Sequence, residues 1–189
     1  NKQRNKTKNQ NELLDLKNDY VFKRIFGHKG NESITQDFLS NILNQTITNV
    51  TLESSSVIPK DMLEDKVGIL DVKAIIDNKI NCDIEMQVVD KKNMEKRILF
   101  YASGMYTRTI TAGKDYSDLK KCIAILITDY ELPSLIGIEK YISKWNLREE
   151  DYVNFILTDD IQVCINLLTK VNTFLKKIFK KFLKIFGHD

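Results

Sequence analysis

The chain has 189 residues, 42% hydrophobic and 29% charged, which suits one globular domain with a sizeable core and gives no sign of a second. With only two histidines, and with Cys82, Cys122 and Cys164 standing singly in apolar segments, zinc sites and histidine-based acid–base chemistry have almost no material. The net charge of +3 is unevenly placed: four basic residues lie within Asn1–Lys8 and six between Lys170 and Lys184, while residues 9–169 hold 19 basic and 25 acidic residues, a balance of −6. Nucleic-acid binding therefore does not follow from overall charge and needs local basic patches.

The cysteines read as buried thiols in a reducing compartment. The polar start has no apolar segment of the kind a secretory signal needs, and no apolar run reaches membrane-spanning length, so a cytoplasmic location is expected.

Residues 1–14 read as a basic polar arm, disordered at least over Asn1–Gln10. Helical patterning begins near Asp19, with Tyr20, Val21, Phe22, Ile25 and Phe26 apolar and Gly27 as its stop; Asp19 fits a helix cap better than a catalytic acid. A second helix is predicted over Glu32–Asn44, with Ile34, Phe38, Leu39, Ile42 and Leu43 on one face. Glu32, in its first turn, suits the helix dipole, with metal ligation as the alternative. Ile47–Glu53 is a first strand, followed by a Ser-rich connection containing Pro59.

Gly68–Asp90 then reads as a β-hairpin. Leu70, Val72, Ala74 and Ile76 alternate with Asp71, Lys73 and Ile75, and Cys82, Ile84, Met86 and Val88 alternate with Asp83, Glu85 and Gln87. Asp77-Asn78-Lys79 is turn chemistry. A three-residue loop there pairs Ile76 with Ile80, Val72 with Ile84 and Leu70 with Met86 on the apolar face, and Lys73 with Asp83 and Asp71 with Glu85 on the polar face. Carboxylates opposed at about 5 Å repel by roughly 3 kcal/mol at an effective dielectric near 20, so a cation is expected between them. Lys73 supplies part of that charge, and Mg²⁺ or Mn²⁺ is the ion such oxygen ligands suit. The plainer alternative is a solvated acidic face with an inconsequential Lys73–Asp83 pair.

A helix follows over Asn93–Thr109, with an apolar stripe of Met94, Ile98, Ala102 and Met105. Arg97, Tyr101, Gly104 and Arg108 form an adjacent stripe that either faces a phosphate backbone or packs an arginine stem beside a tyrosine on the surface. Lys121–Asp129 is a continuous apolar run, predicting a strand covered on both faces. Leu135–Ile142 reads as a short helix or loop and Ile161–Val171 as a late strand or helix. Over residues 170–189, Phe174, Leu175, Ile178, Phe179, Phe182, Leu183 and Phe186 oppose Lys176, Lys177, Lys180, Lys181 and Lys184, making a basic amphipathic helix. It suits an anionic membrane surface, a nucleic acid or a cap on the core. No repeats, P-loop, Rossmann glycines or nucleophile elbow are present.

The segments NDYVFKRIFG, LDVKA, IEMQ, RILFYASGMY, GKDY and CIAILITDYEL, in this order and spacing over Leu16–Leu132, resemble the PD-(D/E)XK nuclease superfamily, in particular Rpn-like recombination-promoting nucleases and transposases. The resemblance implies an α/β fold with a restriction-endonuclease-like core, a central mixed sheet flanked by helices, spanning residues 15–169. It implies a Mg²⁺- or Mn²⁺-dependent DNA endonuclease linked to recombination or mobile elements, with Asp71 and Glu85 as metal ligands. Gln87 stands where many nucleases of the superfamily carry a lysine that orients the attacking water and stabilises phosphorane charge; the amide is expected to orient the water but cannot supply the charge. Lys73, two residues from Asp71 on the same strand face, is the candidate substitute. Arg97, Tyr101 and Arg108 are the candidate nucleic-acid contacts. Beyond Leu132 the likeness fades, and since Rpn-like proteins are usually longer, a shortened C-terminal half is expected. A degenerate nuclease fold kept as a nucleic-acid-binding or interaction module is the alternative. DNA is the expected partner, with a second copy of the chain and, through residues 174–186, a membrane surface as further candidates.

Overall fold

The computed structural model describes residues 19–53 and 72–170. Asp71 and its pairing with Glu85, the pairing of Leu70 with Met86, the Pro59 connection, the arm over 1–14 and the amphipathic segment from Phe174 onward lie outside the described residues.

Six strands form one mixed sheet: β1 (Val50–Glu53), β2 (Val72–Ile76), β3 (Ile80–Gln87), β4 (Cys122–Thr128), β5 (Ile142–Arg148) and β6 (Ile156–Leu167), in the order β1-β2-β3-β4-β6-β5. β1, β2 and β3 form an antiparallel meander, β3, β4 and β6 run parallel, and β5 returns antiparallel on the far edge. The helices are α1 (Asp19–Phe26), α2 (Glu32–Leu43) and α3 (Met94–Thr107). The parallel step from β3 to β4 needs a crossover, and α3 lies within it. This α/β architecture is the restriction-endonuclease-like arrangement expected.

The hairpin register follows the faces as read from sequence, with Val72 opposite Ile84, Lys73 opposite Asp83 and Ile76 opposite Ile80. Its turn places Asp77 (φ 49°) and Asn78 (φ 59°) in the left-handed region, where short polar residues are tolerated best. Asp77 also ties the turn to the approach to β1: its Oδ1 accepts from the Thr48 amide (2.9 Å), the Thr48 hydroxyl (2.8 Å) and the Asn49 amide (2.8 Å), which hold its carboxyl below the usual range.

Alternation sends Val72, Ala74, Ile76, Ile84 and Met86 to one side of the sheet, where they pack on Phe22, Phe26, Phe38 and Leu39 of α1 and α2. Phe26 packs against Phe38 with centroids 4.6 Å apart and the rings tilted by 38°, and the buried Thr35 hydroxyl donates to the Phe26 carbonyl at 2.7 Å, tying the two helices together. Gly27 ends α1 where a Cβ would sit 3.2 Å from Val72 Cγ2, so helix and sheet meet without room for a side chain. On the other side, Met94, Ile98 and Ala102 of α3 pack on Ala124, Leu126, Val163 and Ile165. Every residue of β4 is buried, as expected for a strand covered on both faces.

The late part of the chain differs from the sequence reading. Leu135–Ile142 holds only the end of a 3₁₀ turn, Pro133–Leu135, and the start of β5; of Ile161–Val171, residues up to Leu167 belong to β6, which begins at Ile156, Leu168–Lys170 is a 3₁₀ turn, and Val171 lies outside the described residues. β5 was not foreseen. It is an edge strand, half-exposed along its length, with register shifts around Leu147, so neither a clean alternation nor an apolar run marks it.

Candidate active site

β3 places Asp83, Glu85 and Gln87 on the side of the sheet that α3 covers. Their exposures of 1%, 1% and 6% show that the polar face is not solvated, which corrects the plainer reading of that face. Buried carboxylates are costly unless matched by charge and hydrogen bonds, and for Glu85 these come from Arg97 of α3 and Gln87 of β3.

Arg97, in the first turn of α3, places its Nη2 2.7 Å from Glu85 Oε1. Gln87 Nε2, two residues along the same strand face, donates to the same oxygen at 3.0 Å. One turn later on α3, Tyr101 braces the arginine: Arg97 Nε donates to the Tyr101 hydroxyl at 3.0 Å, and the guanidinium carbon lies 5.4 Å from the ring centroid. Tyr101 is buried, so this is no surface pair, and burial followed by the influence of nearby Glu85 pushes its hydroxyl above the usual tyrosine range against the pull of Arg97.

Lys73 lies across from Asp83 on one side and Glu53 on the other. Burial, followed by Arg108, depresses its ammonium below the usual lysine value, and Asp83 and Glu53 oppose that shift. Arg108 closes α3 as its C-cap, with Nη1 3.3 Å from where a Cβ on Gly104 would stand, so the glycine leaves room for the guanidinium to lie back along the helix. The structure thus brings Glu85, Gln87, Arg97 and Tyr101 into one cluster, with Lys73 and Arg108 grouped farther along the same face.

Tyr130, just beyond β4, was not singled out from sequence. Its hydroxyl is buried with no hydrogen-bond partner among the described residues, and burial, followed by Asp90 and Glu85, pushes it up to about 12. The signal available was its place in the TDYEL segment at the carboxyl end of the buried strand. The three cysteines are buried free thiols; burial pushes Cys122 and Cys164 up to about 11 and Cys82 well above its usual value, so none is poised as a nucleophile. His28 is exposed in the α1–α2 connection.

Among the described residues no group of three His, Cys, Asp or Glu side chains gathers as a metal site. Asp83 and Glu85 nevertheless offer buried carboxylate oxygens, the donor type that Mg²⁺ and Mn²⁺ take, so the residues present fit a hard divalent ion by chemistry. Among the described residues no helix is long and apolar enough to cross a membrane.

The family described as PD-(D/E)XK nuclease family transposase matches residues 16–184. The chain belongs to this family. The match continues well past Leu132, where the motif-by-motif likeness fades, and takes in β5 and β6. No curated protein matches the chain. Membership supports a nuclease-like function and DNA as the substrate, and family members generally use divalent metals.

Proposed function

We propose that this chain is a Mg²⁺- or Mn²⁺-dependent DNA endonuclease of recombination or mobile elements, with Asp71 and Glu85 as the ligands of the ion. The observation that carries the reading is Glu85 itself, a carboxylate 1% exposed on β3 with an arginine and an amide both directed at one of its oxygens. Val72, next in the chain to Asp71, is paired with Ile84, next in the chain to Glu85. That register is the one the paired-acid reading requires.

The ion supplies Lewis-acid activation of the phosphodiester for attack by water. The chain's own residues do the rest. Gln87 fixes the rotamer of Glu85 through its Nε2 and offers its amide oxygen as an acceptor to orient the attacking water. Lys73 steadies negative charge building on the phosphate, the duty of the lysine that Gln87 replaces. Arg97, held by Tyr101 and with its side chain 30% exposed, is within reach of a phosphate as well as of Glu85, and Arg108 extends the cationic track. A cytoplasmic location suits the free buried thiols.

Asp71→Asn should abolish Mg²⁺-dependent nicking of plasmid DNA with the melting temperature unchanged; unimpaired nicking by that variant would overturn the assignment.

One observation favours a second reading, a degenerate nuclease fold acting as a nucleic-acid-binding module. Arg97 already pairs with Glu85 from within the chain, so this carboxylate is matched without a metal. That reading predicts DNA binding with no nicking in Mg²⁺ or Mn²⁺ and no stabilisation by either ion.

A further inference from the structure

A cleft of about 330 Å³ opens on the α3 side of the sheet, and Glu85 does not line it. Its floor comes from β1, β2 and the start of β3, and its wall from the end of α3 and the base of β4. Lys73, Arg108 and Lys120 converge on it together with Asn81 and Thr109, against one carboxylate, Glu53.

The backbones carrying these cations are fixed. Lys73 is within the β2 ladder, paired on both sides. Arg108 is the C-cap of α3. Lys120 is tied to the end of that helix by Thr109, whose hydroxyl accepts from the Lys120 amide at 3.1 Å and donates to the Tyr106 carbonyl at 2.8 Å. The next residue, Lys121, accepts from the Asn81 amide at 2.9 Å through its carbonyl, so the base of β4 is pinned to β3 as well. The lining thereby carries three cations against one carboxylate, a positive balance that suits an anion.

We propose that this cleft is a phosphate-binding site, with Arg108 and Lys120 as its ligands, Asn81 and Thr109 as polar neighbours, and Lys73, across from Asp83, on its side toward Glu85. The volume admits more than a bare phosphate and suits a nucleotide unit. Asn81 precedes Glu85 by four residues on β3, about 13 Å at strand rise, so a phosphate held here is not the scissile one. On the nuclease reading, it is a neighbouring phosphate of the strand being cut, and the cleft sets how that strand enters. The same chemistry also accepts a free phosphate.

The test uses the full chain in EDTA and a fluorescent single-stranded oligonucleotide, with binding followed by anisotropy across a salt series. Lys120→Glu should weaken binding about tenfold and flatten the dependence of log K on log[salt] by about 0.7, with the melting temperature unchanged. If Lys120→Glu does not fold, Lys120→Gln serves with the same direction and a smaller loss. Inorganic phosphate forms the second arm. Stabilisation of the wild type but not of the variant assigns a free-phosphate site, and weakened binding of the oligonucleotide alone assigns a strand site; both support the proposal. Wild-type affinity and slope in the variant, with phosphate acting on both proteins equally or on neither, would overturn it. The two readings fail separately: nicking unaffected by Glu85→Gln would sink the active site and leave the cleft standing, whereas wild-type strand binding by Lys120→Glu would do the reverse.

Discussion

The two faces of β3 are buried to the same degree and for opposite reasons. Cys82, Ile84 and Met86 join the core beneath α1 and α2, where removing apolar surface from water stabilises the fold. Asp83, Glu85 and Gln87 lie beneath α3, where burial of charge costs free energy that Arg97 and the neighbouring hydrogen bonds only offset. A protein selected for stability alone would have little use for the second face. On the proposed function those carboxylates are kept for chemistry, and the difference between the faces then separates what holds this protein together from what it does.

The largest stability effect should come from breaking the apolar face. Ile84 is fully buried, and Ile84→Ala should cost about 2–5 kcal/mol in denaturant unfolding. A loss below about 1 kcal/mol would mean that this face is not the stabilising one.

Arg97→Met should come next, at roughly 1–3 kcal/mol, because it strands Glu85 in a buried position; the partial exposure of Arg97 keeps the loss below the 3–5 kcal/mol of a fully buried pair. Adding Glu85→Gln to Arg97→Met should recover much of that loss, since the stranded charge is gone. Strict additivity of the two single changes would show that the contact carries no coupling.

A smaller effect is expected from Lys73, read through pH. Its folded-state value lies below the usual lysine value of about 10.4, so the unfolded chain binds the extra proton in the window between the two. The charged lysine therefore destabilises the fold fully below its depressed value, and stability should recover as pH rises through that window toward 10.4. Lys73→Met should abolish this alkaline gain while lowering activity. A variant whose stability follows the same pH profile as the wild type would place the depressed group elsewhere.

How much of this was legible in sequence depended on which interactions were local. Alternation over residues 72–87 carried the hairpin register, because a slip of one residue mixes the faces, and the unbroken run Cys122–Thr128 carried the doubly covered strand. The stripe Met94, Ile98, Ala102 and Met105 marked the buried side of α3. What alternation cannot say is what lies over the polar side. That Glu85 meets Arg97 depends on how α3 crosses the sheet, a long-range fact with no local signature. β5 escaped because an irregular edge strand carrying Lys144 and Arg148 has no pattern to read, and Tyr130 because a single tyrosine after a strand gives no warning that its hydroxyl is buried.

Glu85→Gln should alter stability least of all and yet bears most directly on the account. A Mn²⁺ titration of the melting temperature, run on the wild type and on Glu85→Gln after removal of bound metal, separates the readings without relying on turnover. The wild type should be stabilised in step with ion concentration, by about 2.7 kcal/mol at a hundredfold excess over the dissociation constant. The variant should melt at or slightly above the wild-type apoprotein and show no further rise with Mn²⁺. Equal Mn²⁺ stabilisation of both proteins, or none of either, would contradict the claim that the buried carboxylate of β3 is there to hold a metal.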